Sequence, residues 1–429
     1  MRQGLRSWCV VLVIFLGSEH ALARSWYVTP NGIGDAPTIQ AAVDSASAGD
    51  EVVLAPGAYT WSSQNASGLS MVTINKSITL RGEAGAESTI LDAENNSGRV
   101  IGTLGSAIVT ISGITARGGH PPIGQSGGGI QLLTSGSTLS HCIIRDNRTE
   151  SFGGGAGVAC GRCTVTDCQI LNNHAGADAD GGGIFIGLGV LRRCVIRGNS
   201  ARGDPGGSGG GVSAYDSEIV DCVIEDNRAT GPFGGRGGGL YASGDVGVTI
   251  SRCTFVGNRA ESELSSALGG AIATSELTPV SITECVFLGN RATGSVTGTI
   301  FSSHAGVEIS NCTLIGNASG IGGGIVRNSI IMGCYEGRAC ATITTMTCTV
   351  LYANALGNEI CGTDGGGNFS ADPQFCAADP VASRSVLLQS DSPCANAPGC
   401  GRIGAAPVGC EAVSIESLPW SRVKSIYRR

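Results

Sequence analysis

The segment Leu191-Arg-Arg-Cys-Val-Ile-Arg-Gly-Asn199 is one copy of a pattern that recurs along this 429-residue chain, and Ile250-Ser-Arg-Cys-Thr-Phe-Val-Gly-Asn258 is another. Each copy has an aliphatic residue three positions before a cysteine, a large apolar residue two positions after it and an asparagine five positions after it. The spacing of successive copies, 26 to 32 residues, is typical of a solenoid in which each copy forms one coil. The seven copies place their cysteines at Cys142, Cys168, Cys194, Cys222, Cys253, Cys285 and Cys312, and their asparagines at Asn147, Asn173, Asn199, Asn227, Asn258, Asn290 and Asn317.

Stacking of the coils brings like residues of successive copies into columns, since neighbouring strands lie about 4.8 Å apart. Gly-rich segments such as Gly181–Ile184 and Gly209–Val212 supply a further strand. We therefore predict an all-β fold, a single right-handed parallel β-helix solenoid of about 10–12 three-strand coils. The predicted bend between its first two strands lies two and one residues before each cysteine.

The conspicuous columns are predicted to be structural. Asparagine tolerates left-handed backbone geometry, and its amide can hydrogen-bond both to its own turn and to the amide of the next coil. In-register parallel strands point neighbouring thiols the same way, so most of the seven cysteines are predicted to be unbonded core residues. At the position before each cysteine the charges alternate from Asp167 to Glu284, which predicts ion pairs between neighbouring coils.

The amino-terminal residues have the features of an export signal. Arg2 and Arg6 precede the apolar run 8–17, and Ala21-Leu-Ala23 fits a small-residue cleavage site. We predict a signal peptide over residues 1–23 and a secreted or cell-envelope location, including the outer membrane surface. The apolar run is too short to span a bilayer, and no transmembrane helix is predicted.

The solenoid is predicted to span residues 24–335, with a capping helix at 36–48 and the Gly-rich Cys-Asn repeats at 127–325. A cysteine-rich closing segment is predicted at 336–410, followed by a basic, aromatic tail at 411–429 that is either a sorting signal or a loose end. In an exported chain, the eight cysteines from Cys334 onwards favour disulfides over a metal site. The pair Cys160 and Cys163 is either a local disulfide or two core residues.

The outward position three residues after the cysteine turns apolar late in the chain, at Val256, Leu288 and Ile315. An apolar outer face requires a cover. We predict that the cysteine-rich closing segment supplies it.

Several segments carry family resemblances. Phe255-Val-Gly-Asn258 and Gly269-Gly-Ala-Ile272 resemble the repeats of chlamydial polymorphic outer membrane proteins. The segments at 37–42 and 49–59 resemble the opening of pectin-lyase-like right-handed β-helices, and Asp372-Pro-Gln-Phe375 resembles their closing coil. The resemblance implies the fold, and it implies neither a substrate nor a catalytic residue. Ten-residue strands of alternating hydrophobicity are not seen after the solenoid, so no autotransporter barrel is expected.

No catalytic residue is predicted. Asp146 and Asp226 share a position but lie three coils apart, about 14 Å, which is too far for a carboxylate pair. Glu225 and Arg145 are the other outward candidates, and no Ser-His-Asp arrangement is visible in the sequence. Asp178 and Asp180 faintly resemble a calcium loop, and no other metal or cofactor is expected.

Two functions remain open. The favoured one is a non-enzymatic surface scaffold with a structural, adhesin-like or glycan-contacting role. The alternative is a lyase or hydrolase acting on an acidic polysaccharide at an outer face. The partner is expected to be an extracellular glycan or the cell envelope. The net charge of −7 and the absence of a basic run within the repeats argue against nucleic acid.

Overall fold

The structure, a computed structural model, describes residues 23–150, 152–203, 206–294, 298–302 and 306–410. The predicted signal peptide, apart from Ala23, and the predicted tail lie outside these residues. The described chain is an all-β parallel solenoid of about 10 turns, which confirms the predicted fold class. Its strands form four parallel sheets that run along the solenoid.

We number the sheets in the order in which the chain visits them within a repeat. Sheet 1 consists of Ser25–Val28, Glu51–Leu54, Thr79–Gly82, Thr110–Ser112, Thr138–Ser140, Thr164–Thr166, Val190–Arg192, Glu218–Val220, Val248–Ser251, Val280–Thr283, Val307–Ser310, Gly324–Arg327, Thr344–Thr347 and Thr363–Asp364. Sheet 2 consists of Gly57–Thr60, Thr89–Asp92, Thr115–Arg117, Ile143–Arg145, Gln169–Leu171, Val195–Arg197, Val223–Glu225, Thr254–Val256, Val286–Leu288, Thr313–Ile315, Ile330–Met332 and Val350–Tyr352.

Sheet 3 consists of Arg148–Thr149, His174–Ala175, Ser200–Arg202, Arg228–Gly231, Arg259–Ser262 and Arg291–Ala292. Sheet 4 consists of Ser70–Ile74, Arg99–Thr103, Ile130–Leu132, Val158–Gly161, Ile184–Gly187, Val212–Tyr215, Leu240–Ser243, Ile272–Thr274 and Ile300–Phe301. A separate pair, Leu388–Gln389 and Val408–Cys410, lies in the closing segment.

Two left-handed residues shape each repeat. Arg193 (φ 49°) separates its sheet 1 strand from its sheet 2 strand, and Gly198 (φ 67°) precedes the asparagine that leads into sheet 3. The bend therefore begins one residue later than predicted, because Arg192 still pairs in sheet 1. The prediction of three strands per coil is also incomplete, since six coils pair again after the asparagine to form sheet 3.

The asparagines form a buried amide ladder. Asn199 Nδ2 donates to the carbonyl oxygen of Ile170 at 2.9 Å and to Oδ1 of Asn227 at 3.0 Å. Its Oδ1 accepts the backbone N–H of Asn173 at 2.9 Å and Nδ2 of Asn173 at 3.0 Å. The left-handed residue is the one before each asparagine, not the asparagine itself, so the amide does the bonding while its neighbour makes the turn.

The seven repeat cysteines are buried free thiols. Neighbours make backbone-to-sulfur contacts, such as Cys253 N–H to Cys285 Sγ at 3.4 Å. Burial raises the pKa of Cys285, and it raises that of the later free thiol Cys334 to about 12. Cys285 and Cys334 therefore stay protonated at neutral pH and pack as small apolar groups.

The amino-terminal helix is Ile39–Ser45, shorter than the predicted 36–48. It starts there because the Thr38 side chain accepts the N–H of Ala41, and it ends where Ala46 becomes extended. Lys76 Nζ donates to the last carbonyl oxygens, with Asp44 O at 2.6 Å. The buried side of the helix packs on the first strands of sheets 1 and 4.

The closing segment covers the late face of sheet 2, as predicted. Leu288 and Ile315 are buried against a cluster from this segment that comprises Phe375, Val386, Leu388, Cys394, Ala397 and Ile403. Thr313 Oγ1 accepts the N–H of Ala405 at 2.9 Å, and the short helix Pro380–Ser383 lies within the same segment. The parallel ladder itself continues to Asp364, so the predicted boundary at 335 falls inside the solenoid.

Disulfides hold the carboxyl-terminal end. Cys340 pairs with Cys361, Cys348 with Cys400 and Cys376 with Cys410. The remaining two cysteines of this end, Cys334 and Cys394, are buried and free. Cys160 and Cys163 form a local disulfide, which decides between the two alternatives left open by the sequence.

Candidate functional site

The aspartates considered as catalytic acids lie at turns. Asp146 and Asp226 both occupy left-handed positions, with φ of 55° and 52°. Asp146 accepts a hydrogen bond from its neighbour Arg145 at 2.6 Å. The structure does not bring the two aspartates together, because three coil steps separate them. Their role is to turn the chain before the asparagine.

Glu225 links the closing segment to the solenoid wall. Its side chain is 5% exposed and forms ion pairs with Arg197 at 3.3 Å and with Arg384 at 2.6 Å. A carboxylate held between two guanidinium groups is not available to accept a substrate proton. Glu225 is therefore part of the attachment of the closing segment.

Asp178 and Asp180 lie in the turn before Gly181. Asp180 pairs with Ser208 across a parallel bridge, and the Ser208 side chain hydrogen-bonds to its carboxylate. Calcium takes six to eight oxygen ligands. Within the described residues, no group of three or more His, Cys, Asp or Glu side chains could hold a metal ion.

A basic column runs along the outer face of sheet 3. Strand register stacks its outward residues in the order Arg148, His174, Ser200, Arg228, Arg259 and Arg291. His120 precedes them by one coil, because Gly119 O accepts the Arg148 N–H at 2.8 Å. We call these seven residues the arginine column. Six coil steps make it about 29 Å long.

The column stacks three arginines on consecutive coils. Arg228 pairs with Glu261 at 2.5 Å and Arg291 with Glu336 at 3.0 Å. Arg259 lies exposed between them and forms no ion pair with any residue that the structure describes. Like charges one coil apart repel, and carboxylates of the described residues offset this repulsion at Arg228 and Arg291 but not at Arg259.

The amino-terminal end of the column carries titratable groups. His120 Nε2 lies 2.5 Å from Glu150 Oε1, and His174 Nδ1 lies 2.6 Å from Ser200 Oγ. Beside the first pair is an open cavity of about 420 Å³. The residues that line it are Ser97, His120, Pro121, Pro122, Ile123 and Glu150.

Burial and charge set the protonation of this end. Burial, followed by the positive charges of Arg148 and Arg202, lowers the pKa of His174 below its usual 6.5. The hydrogen bond from His120 lowers the pKa of Glu150. At neutral pH, His174 is therefore a neutral imidazole in contact with a hydroxyl group, while Glu150 is ionised.

The lowered pKa of His174 predicts a pH-dependent loss of stability. The unfolded chain binds this proton more readily than the folded one, so stability falls as the pH drops below 6.5. We expect His174→Gln to lose less stability than the unsubstituted protein between pH 7 and pH 5, as measured by urea unfolding at each pH. His141→Gln, at an exposed histidine, is the control. An equal pH slope for both variants would contradict this role of His174.

The sequence predictions did not include the arginine column. The signal was present, because the residue directly after the repeat asparagine is Arg148, His174, Ser200, Arg228, Arg259 or Arg291 in six copies. Without sheet 3, there was no reason to place those residues on a common outward face. The contact between His174 and Ser200 likewise needs the register of neighbouring coils.

The described strands define the class of the protein as a right-handed parallel β-helix. Residues 189–362 match the family model of the right handed beta helix region. Among solved structures, the fold is similar to the pectate lyase Pel9A, with 17% identity, a TM-score of 0.50 and coverage of 90% of this chain and 96% of that one.

Two further lyases show weaker similarity. The PL6 family alginate lyase AlyGC has 13% identity and a TM-score of 0.45, and the match covers 92% of this chain and 59% of that one. A rhamnogalacturonan lyase has 12% identity and a TM-score of 0.37, with 95% and 99% covered. No curated protein matches the chain. At these identities, the likeness establishes the fold alone.

No helix among the described residues is long and apolar enough to cross a membrane.

Proposed function

We propose that this protein is an exported β-helix scaffold of the cell envelope that binds an acidic polysaccharide along the arginine column without cleaving it. The observation that carries the proposal is the stack of Arg228, Arg259 and Arg291 on consecutive coils. The charges repeat along the column at the coil spacing of about 4.8 Å. An extended glycan with ionised carboxylates along its length matches that repeat.

The charge balance supports an anionic ligand. The whole chain has a net charge of −7, yet the sheet 3 strands present five arginines outward. Glu150, Glu261 and Glu336 form ion pairs with Arg148, Arg228 and Arg291. Guanidinium groups bind carboxylates through paired hydrogen bonds. Arg259 offers such a group, since the ion pairs of its neighbours leave it without a carboxylate among the described residues.

The disulfides support the exported location. The described residues contain four pairs, and disulfides persist in oxidising compartments. The predicted signal peptide gives the same location from independent evidence.

We expect Arg259→Gln to lower the affinity for polygalacturonate about three- to tenfold at low ionic strength, because one charge-assisted contact is lost. Titration calorimetry at increasing NaCl measures it, and the variant should also show a shallower salt dependence. Arg252→Gln is the matched control, since it removes an exposed arginine that lies on another face and pairs with Asp221. Equal affinity of Arg259→Gln and the unsubstituted protein would refute the proposal.

Cleavage of the same polysaccharide is the second candidate function, and the neutral imidazole of His174 favours it. A lyase needs a base to remove the proton beside the uronate carboxylate and a cation to neutralise that carboxylate. His174 lies one coil from Arg148 and on the same column. Incubation with polygalacturonate and with alginate, with and without Ca²⁺, tests this reaction. Unsaturated products that disappear in His174→Gln would establish cleavage and overturn the non-catalytic proposal.

A further inference from the structure

Sheet 4 has an outer face of a different chemistry. Strand register places five outward residues in one row, in the order Phe185, Ser213, Tyr241, Ala273 and Phe301. Aromatic and small residues alternate, so that a ring lies on every second coil. Successive rings are therefore separated by two coil steps, about 10 Å. We call this row the aromatic row.

The rings point away from the core. Phe185 and Tyr241 are half-buried, whereas the residues on either side of each, such as Ile184 and Ile186, are fully buried. Tyr215 lies two positions along from Ser213 on the same face and is 39% exposed. These rings lie outside the core of the solenoid, and each keeps part of its surface exposed on the outer face.

The face carries no charge. The five strands of the aromatic row, at 184–187, 212–215, 240–243, 272–274 and 300–301, contain no Asp, Glu, Lys, Arg or His. Tyrosine and serine hydroxyl groups are the polar groups that their outward side chains offer. This composition of the strands contrasts with that of the neighbouring sheet 3.

We infer that the aromatic row binds an uncharged, extended β-linked glycan that runs along the solenoid axis, with every second sugar stacked on a ring. The apolar face of a sugar packs on an aromatic ring, and the hydroxyl group of the half-buried Tyr241 can bond to sugar hydroxyl groups. In an extended β-linked chain, alternate sugars present the same face, and their separation is close to that of the rings. The row thus provides a second binding face that does not depend on the arginine column.

The alternation also argues against a protein partner. Ser213 and Ala273 interrupt the rings, so the row is not the continuous apolar patch that protein interfaces bury at their centre. A ligand whose structure repeats every two coil steps, about 10 Å, fits this spacing, because each ring then contacts an equivalent sugar.

The test is a binding assay of the full protein on insoluble cellulose and chitin. We expect Tyr241→Ala to lower the affinity roughly five- to tenfold, since one stacking contact is lost. High salt and the Arg259→Gln change should leave this binding unaltered, which separates it from binding at the arginine column. Phe152→Ala is the matched control, because Phe152 is an exposed phenylalanine outside the aromatic row.

Tyr241→Leu is the second variant, because it retains an apolar side chain and removes the ring. If either folded variant, or Phe185→Ala, bound both glycans like the unsubstituted protein, the inference would be wrong. Light scattering on Tyr241→Ala provides a further check. A change from a defined oligomer to a smaller species would identify the row as an interface between copies and overturn the glycan site.

Discussion

Replacing Asn199 with leucine is expected to lower the free energy of unfolding by at least about 3 kcal/mol. The side chain is fully buried and takes part in four hydrogen bonds that involve Ile170, Asn173 and Asn227. Leucine has a similar volume but leaves these backbone and amide groups unpaired in a water-free interior. Each orphaned buried group costs about 1–3 kcal/mol.

Chemical unfolding followed by circular dichroism measures this loss. The control is Gln169→Leu, an exposed residue on the sheet 2 strand of the preceding coil, which should change stability by about 0.5 kcal/mol or less. A loss below about 1 kcal/mol for Asn199→Leu would show that the ladder relaxes around the gap. The ladder would then contribute little to holding the coils together.

The second large effect is expected at the join between the solenoid and the closing segment. Leu288→Asp should lower the free energy that holds the closing segment on sheet 2 by about 3–5 kcal/mol, because it places an unpaired charge in the apolar contact between them. Leu288 is fully buried in a cluster that includes Phe375, Leu388 and Ile403.

Release of the closing segment, without global unfolding, is the expected result. The Cys348–Cys400 disulfide keeps the segment tethered to the solenoid. Limited proteolysis with mass spectrometry should detect new cleavage between residues 365 and 407. Leu171→Asp is the control, since Leu171 occupies the same repeat position on a coil where it remains partly exposed. Equal protease resistance of the two variants would contradict the proposed contact.

The join also explains why Glu225 belongs to the structure. Glu225 occupies the same outward column as Leu171 and Leu288. It lies at the point in this column where the closing segment begins to cover the coils. Arg384 of the closing segment reaches back to it at 2.6 Å. The polar end of the contact is therefore an ion pair, and the apolar end is the cluster around Leu288.

The alternating charges beside the cysteines predicted ion pairs between neighbouring coils from Asp167 to Glu284. The structure contains some of these pairs, and Glu284 has a different partner. Arg193 pairs with Asp167 at 2.7 Å and Arg252 with Asp221 at 2.7 Å, as the alternation suggested. Glu284 instead contacts Arg402 of the closing segment at 3.7 Å. The sequence could not anticipate that partner, because it lies more than a hundred residues away along the chain.

The repeat pattern alone predicts the solenoid, its inward columns and a cover over Leu288 and Ile315. These follow from a repeat in which apolar residues recur at fixed distances from each cysteine, and burial of apolar side chains is a local requirement of each coil. Which outward residues share a face became clear from the folded arrangement of the coils. The arginine column and the aromatic row depend on register between coils 26 to 32 residues apart, and that register is set by how the intervening turns pack.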